Sequence, residues 1–117
     1  MLGLKDLKKD RDLVNVIDWS MTPEEAVRLY LEWGNNWSRG TFIKSKDDVI
    51  HYFVLNCWEE QPVLYLVRRN SEEAVELAKI EVPDSVGSSI LRGKYSKGIY
   101  GIDDEITLWL KRELDAV

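Results

Sequence analysis

His51 and Cys57 are the only imidazole and the only thiol in the chain, which makes them the first candidates for metal binding or nucleophilic catalysis. They lie within one run of β-branched and aromatic residues that predicts a β-strand. At about 3.3 Å per residue, their α-carbons would be roughly 20 Å apart. We therefore expect a packed thiol and a histidine near the end of a strand, with no metal site, no cofactor and no internal disulfide.

Motifs for phosphate binding and for serine hydrolysis are absent from the sequence, which contains no G-x-x-x-x-G-K-[ST], no G-x-G-x-x-G and no G-x-S-x-G. The predicted helices begin with carboxylates, as at Glu24–Glu25 and Asp103–Glu105. These carboxylates would repel a phosphate from the positive end of each helix. The sequence therefore favours a non-catalytic protein, and catalytic residues are not assigned.

A turn rich in aromatic and amide side chains follows the first predicted helix. Two indoles flank two adjacent amides, and a guanidinium lies beside them. Such groups line pockets for small polar ligands, and an enzyme or a ligand-binding protein would use the turn in this way. The alternative is that the amides only shape the turn while the indoles pack inward. The candidate ligand-binding residues of the turn are Trp33, Asn35, Asn36, Trp37 and Arg39.

Residues 49–58 and 63–69 are two extended runs joined by a polar four-residue loop, which predicts an antiparallel hairpin. A loop of this length pairs Trp58 with Val63 and Tyr52 with Arg69. One face of the hairpin is uniformly apolar, and we expect helices to cover it. That face carries Phe53, Leu55, Cys57, Leu64 and Leu66.

The other hairpin face, here called the aromatic face, mixes tyrosine, tryptophan and arginine with valines. These residue types are enriched at interface hot spots, so an open aromatic face predicts a homodimer or a protein partner. If the N-terminal segment covers it, the face is instead a second core layer. Its candidate binding residues are Tyr52, Trp58, Tyr65 and Arg69.

Capping signals predict three helices. Thr22-Pro-Glu-Glu25 predicts a helix from Pro23 to Trp33, and Asp103–Glu105 predicts one near the end of the chain. The acidic start Asn70–Glu73 predicts a further helix ending before Pro83. Residues 4–17 have leucines at helical spacing, although their last valines and isoleucine fit a strand equally well. Residues 41–44 and 98–102 are candidate edge strands.

These elements indicate a single domain, residues 1–117, of the α+β class. We expect a small antiparallel sheet built on the 49–69 hairpin, with three to four helices packed mainly on one face. The net charge of −5 argues against nucleic-acid binding, and no apolar run is long enough to span a membrane. Because charges interrupt the leucines of the first twelve residues, we expect no signal peptide and a cytoplasmic location.

Three stretches of the chain resemble a family of small bacterial proteins without an assigned function. They are Trp19–Val27 (WSMTPEEAV), Tyr30–Trp37 (YLEWGNNW) and Ser45–Val49 together with Tyr52–Val54. The resemblance implies a free-standing small α+β protein and adds no chemistry. We accordingly expect a binding or self-association module that uses the aromatic face, or alternatively a small-molecule site at the Trp33–Arg39 turn.

Overall fold

The computed structural model describes residues 1–31, 48–58, 61–70, 73–83, 85–86 and 97–116. Four strands form one antiparallel sheet in the order β3-β2-β1-β4, and helices lie on both of its faces. The predicted α+β class is confirmed. The elements are α1 (Leu4–Lys9), α2 (Arg11–Asn15), α3 (Pro23–Leu31), β1 (Ile50–Asn56), β2 (Val63–Arg69), β3 (Ala74–Glu81), β4 (Ile99–Tyr100) and α4 (Asp104–Glu113).

The β1–β2 hairpin forms as predicted, but its register differs by two residues. Asn56 pairs with Val63 and Tyr52 pairs with Val67, so six residues rather than four connect the strands. The predicted pairing of Tyr52 with Arg69 is therefore wrong. Because side chains alternate with a period of two, an even shift leaves every residue on its predicted face.

Residues 74–81 form strand β3, and the helix predicted there is wrong. β3 pairs with β2 in an antiparallel ladder that skips Leu77, since Leu66 lies opposite Ala78 whereas Val67 lies opposite Glu76. This bulge interrupts the alternation of side chains between the two faces of the strand, so that the apolar residues of β3 have a spacing typical of a helix. After the bulge the alternation is regular, with Ala78 and Ile80 buried and Lys79 and Glu81 exposed.

The sheet separates two hydrophobic clusters. The larger one packs the uniformly apolar hairpin face against α1, α2 and α4. The smaller one packs the aromatic face against α3, through Ala26 and Leu29. Because α3 covers the aromatic face, that face is a second core layer, which was one of the two predicted alternatives. The prediction that the N-terminal segment would be the covering element is wrong.

The N-terminal segment combines both structures that its sequence allowed. Val14 lies in α2 and is buried, whereas Ile17 forms a parallel β-bridge with His51. Further along the chain, β4 lies within the predicted edge strand 98–102, while the candidate strand 41–44 lies outside the described residues.

The predicted caps position the two longest helices. Thr22 Oγ1 accepts from the Glu25 N–H, and Glu25 Oε2 accepts from the Thr22 N–H, both at 3.3 Å, which is the predicted capping box at the start of α3. The Asp103 carboxylate accepts from the Ile106 N–H at 2.9 Å and starts α4. α3 is described as far as Leu31, so its predicted end at Trp33 lies outside the described residues.

Candidate ligand-binding cleft

The lone histidine and the lone cysteine lie towards opposite ends of the first strand. His51 pairs with Arg68, whereas Cys57 follows β1 and donates its N–H to the Gly98 carbonyl at 2.8 Å. Burial raises the pKa of Cys57 and keeps it a neutral thiol. Burial, and secondly the Arg68 charge, lower the pKa of His51. In the part of the chain that the structure describes, no three His, Cys, Asp or Glu side chains are placed to hold a metal ion.

The candidate residues of the aromatic face do not share one surface. Tyr52 is 1% exposed and Arg69 is 0% exposed, so the expectation that these two side chains form an open interface is wrong. Tyr65 is half-buried, and Trp58 is 60% exposed beyond the end of β1. The candidates Trp33, Asn35, Asn36, Trp37 and Arg39 lie outside the described residues, and the pocket at that turn stays a prediction.

Arg69 is a structural residue because it joins the end of β2 to α3. Its Nε donates to the Leu29 carbonyl of α3 at 3.2 Å, and its Nη1 donates to the carbonyls of Asn70 and Glu73. Tyr52 lies in the same layer with its hydroxyl buried and without a hydrogen-bond partner among the described residues, and burial raises the pKa of Tyr52.

A cleft of about 350 Å³ opens where the starts of α3 and α4 meet the edge of β1. Pro23 of α3 and Thr22, which caps that helix, form one wall, and Asp104 and Thr107 of α4 form the other. We call this cavity the α3–α4 cleft. A further group of apolar side chains lines it, namely Met21, Ala26 and Ile102.

The base of the α3–α4 cleft is a stretch of the β1 edge that pairs with none of the described strands. The Asp18 N–H donates to the His51 carbonyl at 2.8 Å, and the pairing of β1 with β4 begins only at Leu55, opposite Tyr100. Phe53 lies between these two contacts. Backbone groups of alternate residues point to the same side of a strand, so the Phe53 N–H and C=O point away from β2, to the side of β1 on which Asp18 and β4 lie.

Aromatic side chains form the inner surface of the cleft. The Trp19 and Phe53 rings lie 5.7 Å apart between centroids, with a tilt of 34° between their planes. The Lys111 ammonium lies 5.5 Å from the centroid of the Trp19 ring, within the range of a cation–π contact. The cleft thus contains an indole ring that already accepts a cation from its own chain.

The polar lining of the cleft is acidic. Asp18 Oδ1 accepts from the N–H and the hydroxyl of Ser20, at 2.9 and 2.7 Å. Asp103 supplies the helix cap of α4, and Asp104 is exposed in the first turn of that helix. Of the described residues that line the cleft, Asp18, Asp103 and Asp104 are the charged ones.

Sequence reasoning identified the individual parts of the cleft but not the cleft itself. The capping motifs at Thr22 and at Asp103 each predict a helix start, and both starts are confirmed. The two motifs lie about eighty residues apart in the chain. The available signal was the pair of capping motifs, and nothing in their spacing indicates that the two helix starts meet.

Comparison of the chain with protein-family models, curated proteins and solved structures finds no match. None of the described helices combines the length and the apolar character needed to cross a lipid bilayer.

Proposed function

We propose that this chain is a non-catalytic binding protein that holds a small ligand in the α3–α4 cleft. The observation that supports this proposal is the cavity itself, which Trp19, Tyr52 and Phe53 line with aromatic side chains beside an edge of β1 that pairs with none of the described strands. A concave apolar site with a few directed polar groups is the usual form of a ligand pocket. The cleft is also built from three parts of the chain that caps and strand pairing hold in place.

The positions of the reactive side chains support binding rather than catalysis. The raised pKa of Cys57 makes its thiol a poor nucleophile, and neither Cys57 nor His51 is among the described residues that line the cleft. The cleft offers carboxylates, but two of the three already accept backbone N–H groups, Asp18 from Ser20 and Asp103 from Ile106.

The covered aromatic face removes the main argument for self-association through the hairpin. Tyr52 and Arg69 would be its central residues, and both are buried under α3 in a single chain. A cytoplasmic location belongs to the same proposal and is supported by the single, reduced Cys57.

The size of the cleft limits the ligand. The cleft has a volume of about 350 Å³. That volume lies at the lower end of ligand pockets. We therefore expect a metabolite-sized compound with one apolar portion rather than a nucleotide or a long peptide.

A fragment screen by two-dimensional NMR tests the proposal. Ligands should shift the Trp19 indole N–H and the backbone amides of Phe53 and Thr107 together. The variant Thr107→Leu places a larger side chain in the cleft and should weaken binding about tenfold, whereas Thr107→Ser should bind as the parent does. Absence of binders from a broad panel, or binders whose shifts lie away from the cleft, would overturn the proposal.

A further inference from the structure

We infer that the α3–α4 cleft selects a neutral ligand whose polar end is a carboxamide, carried on a small apolar body. This inference rests on the proposed binding function and names its ligand class. Three properties of the cleft support it: the main chain of Phe53 at its base, the balance of charges around it, and its aromatic walls.

The cleft lies beside the outer edge of β1, the edge that does not pair with β2. Tyr52 and Ala26 line the cleft from the sheet face that α3 covers. Phe53 and Ile102 line it from the opposite face. None of the described lining residues belongs to β2. Because residues of both faces surround it, the cleft reaches β1 at its outer edge.

Phe53 presents a main-chain donor and a main-chain acceptor on this outer edge. The His51 carbonyl accepts from the Asp18 N–H on the same side, and Leu55 pairs there with β4. Alternate residues of a strand direct their backbone groups to one side, so the pair of Phe53 with Leu66 is a non-hydrogen-bonded one. The Phe53 N–H and C=O bond to none of the described residues, although Phe53 is only 3% exposed. Buried main-chain groups need a partner, and a ligand that displaces water from the cleft has to supply both bonds.

A carboxamide matches this pair of main-chain groups. Its NH₂ donates and its carbonyl accepts, and both lie at one end of the ligand. It can therefore donate to the Phe53 C=O and accept from the Phe53 N–H, as a neighbouring strand would. A carboxylate has acceptors only and an ammonium has donors only, so each leaves one of the two Phe53 groups unpaired.

The charges around the cleft balance one another. The Asp18 and Asp104 carboxylates line it, whereas Asp103 is engaged in the cap of α4 and in a further interaction. The two helix starts contribute about +0.5 charge each, and the Lys111 ammonium lies beside the Trp19 ring, so together they offset the two carboxylates. A charged ligand would lose its hydration without gaining an excess of opposite charge. The cleft therefore favours a neutral ligand.

The apolar walls define the body of the ligand. The Trp19 and Phe53 rings form one side, with 5.7 Å between their centroids. Met21 and Ile102 contribute aliphatic surface. A ring or a compact aliphatic group on the ligand would bury its own apolar surface against these side chains.

Four probes that share one aromatic ring and differ in their polar group test the inference: benzamide, acetophenone, benzoate and benzylammonium. Acetophenone has the shape of benzamide but carries a methyl group in place of the donor. Each probe is titrated at pH 7 into the labelled full chain and followed through the Trp19 indole and Phe53 amide signals. We expect benzamide to bind about fivefold more tightly than acetophenone, because acetophenone leaves the Phe53 carbonyl unpaired, and also more tightly than the two charged probes.

The other outcomes of the titration count against the carboxamide. Equal or tighter binding of acetophenone, benzoate or benzylammonium would overturn the inference and leave the proposed binding function standing. Failure of all four probes would overturn the inference as well, while the fragment screen judges the binding function separately.

Two further measurements identify the main chain of Phe53 as the partner of the carboxamide. Saturating benzamide should slow the hydrogen exchange of the Phe53 amide, whereas the Leu55 amide, which pairs with β4, is the internal control and should not change. A donor bonded to a carboxylate would lose severalfold in affinity on removal of the charge. Asp18→Asn and Asp104→Asn should therefore leave the preference for benzamide over acetophenone unchanged. Loss of that preference in either variant, or unchanged exchange of the Phe53 amide, would contradict the inference.

Discussion

Gly101 lies directly against Pro23, the first residue of α3. A β-carbon at position 101 would come within 2.7 Å of the Pro23 carbonyl oxygen and closer still to its Cα. Gly101 is buried between β4 and α4, so this contact fixes the start of α3 relative to the start of α4. The width of the α3–α4 cleft therefore depends on the absence of a side chain at one position.

Gly101→Ala should destabilise the protein by about 1–3 kcal/mol, the usual cost of forcing an extra carbon into a packed site. Because the obstructing atoms are backbone, the helix itself must move. Urea denaturation measures the loss. Gly3→Ala is the control, since its nearest neighbour would be Asp6 Oδ2 at 3.8 Å, and it should cost a few tenths of that amount. Equal stability of the Gly101→Ala variant and the parent would contradict the packing described.

Arg69→Met should lower the free energy of unfolding by about 1–3 kcal/mol, because the buried Arg69 guanidinium no longer donates to the carbonyls of Leu29 and Glu73. The adjacent Arg68 provides the matched control. Arg68 makes a long ion pair with Glu73 at 3.9 Å and is partly exposed, so Arg68→Met should cost less than about 1 kcal/mol. Chemical denaturation of the two variants compares them directly, and a larger effect at Arg68 would refute the structural role of Arg69.

His51 should make the protein less stable as the pH falls below about 6.5. Its pKa in the folded chain is lowered from 6.5, so the unfolded chain takes up the proton first and acid favours unfolding. Denaturation at pH 7.5 and 5.5 should show a larger loss for the parent than for His51→Gln. Arg68→Met removes the secondary cause and should lessen the loss in part. An identical pH dependence of parent and His51→Gln would exclude this linkage.

The titration of Tyr30 should make the protein less stable as the pH rises from 10 to 12. Burial is the main cause that raises the pKa of Tyr30 to about 12, and its hydrogen bond to Glu76 Oε2 at 2.9 Å adds to the effect. The unfolded chain loses this proton first, near pH 10, so stability falls as the pH rises through the window. The stability difference between the parent and Tyr30→Phe should therefore shrink from pH 9 to pH 11. Glu76→Gln keeps an acceptor without the charge and should lower the upper end of the window, while the lower end, set by the unfolded chain, stays near pH 10. An unchanged upper end would contradict the contribution of Glu76.

Local sequence signals predicted the elements whose stabilising groups lie close together in the chain. The Thr22 and Glu25 caps, the Asp103 cap and the alternating residues of β1 and β2 each depend on neighbours within a few positions. The two faces of the hairpin were predicted correctly even though its register was not, because alternation survives an even shift.

Local signals failed where a distant partner decided the outcome. Residues 74–81 carry a helical start signal and helical spacing, but pairing with β2 and the bulge at Leu77 make them a strand. The aromatic face was left undecided because no local pattern states which element covers it, and the position of α3 buries Tyr52 and Arg69.

The sequence by itself determined the fold class, the hairpin, two of the helix starts and the isolation of His51 from Cys57. These features follow from backbone periodicity and from hydrogen bonds between near neighbours. Only the tertiary structure decided that Asp18, Phe53 and Asp103 share one cleft, because their meeting depends on how α3 and α4 pack across the sheet edge. Contacts between residues so far apart in the chain are set by the packing of whole elements, and no short stretch of residues encodes them.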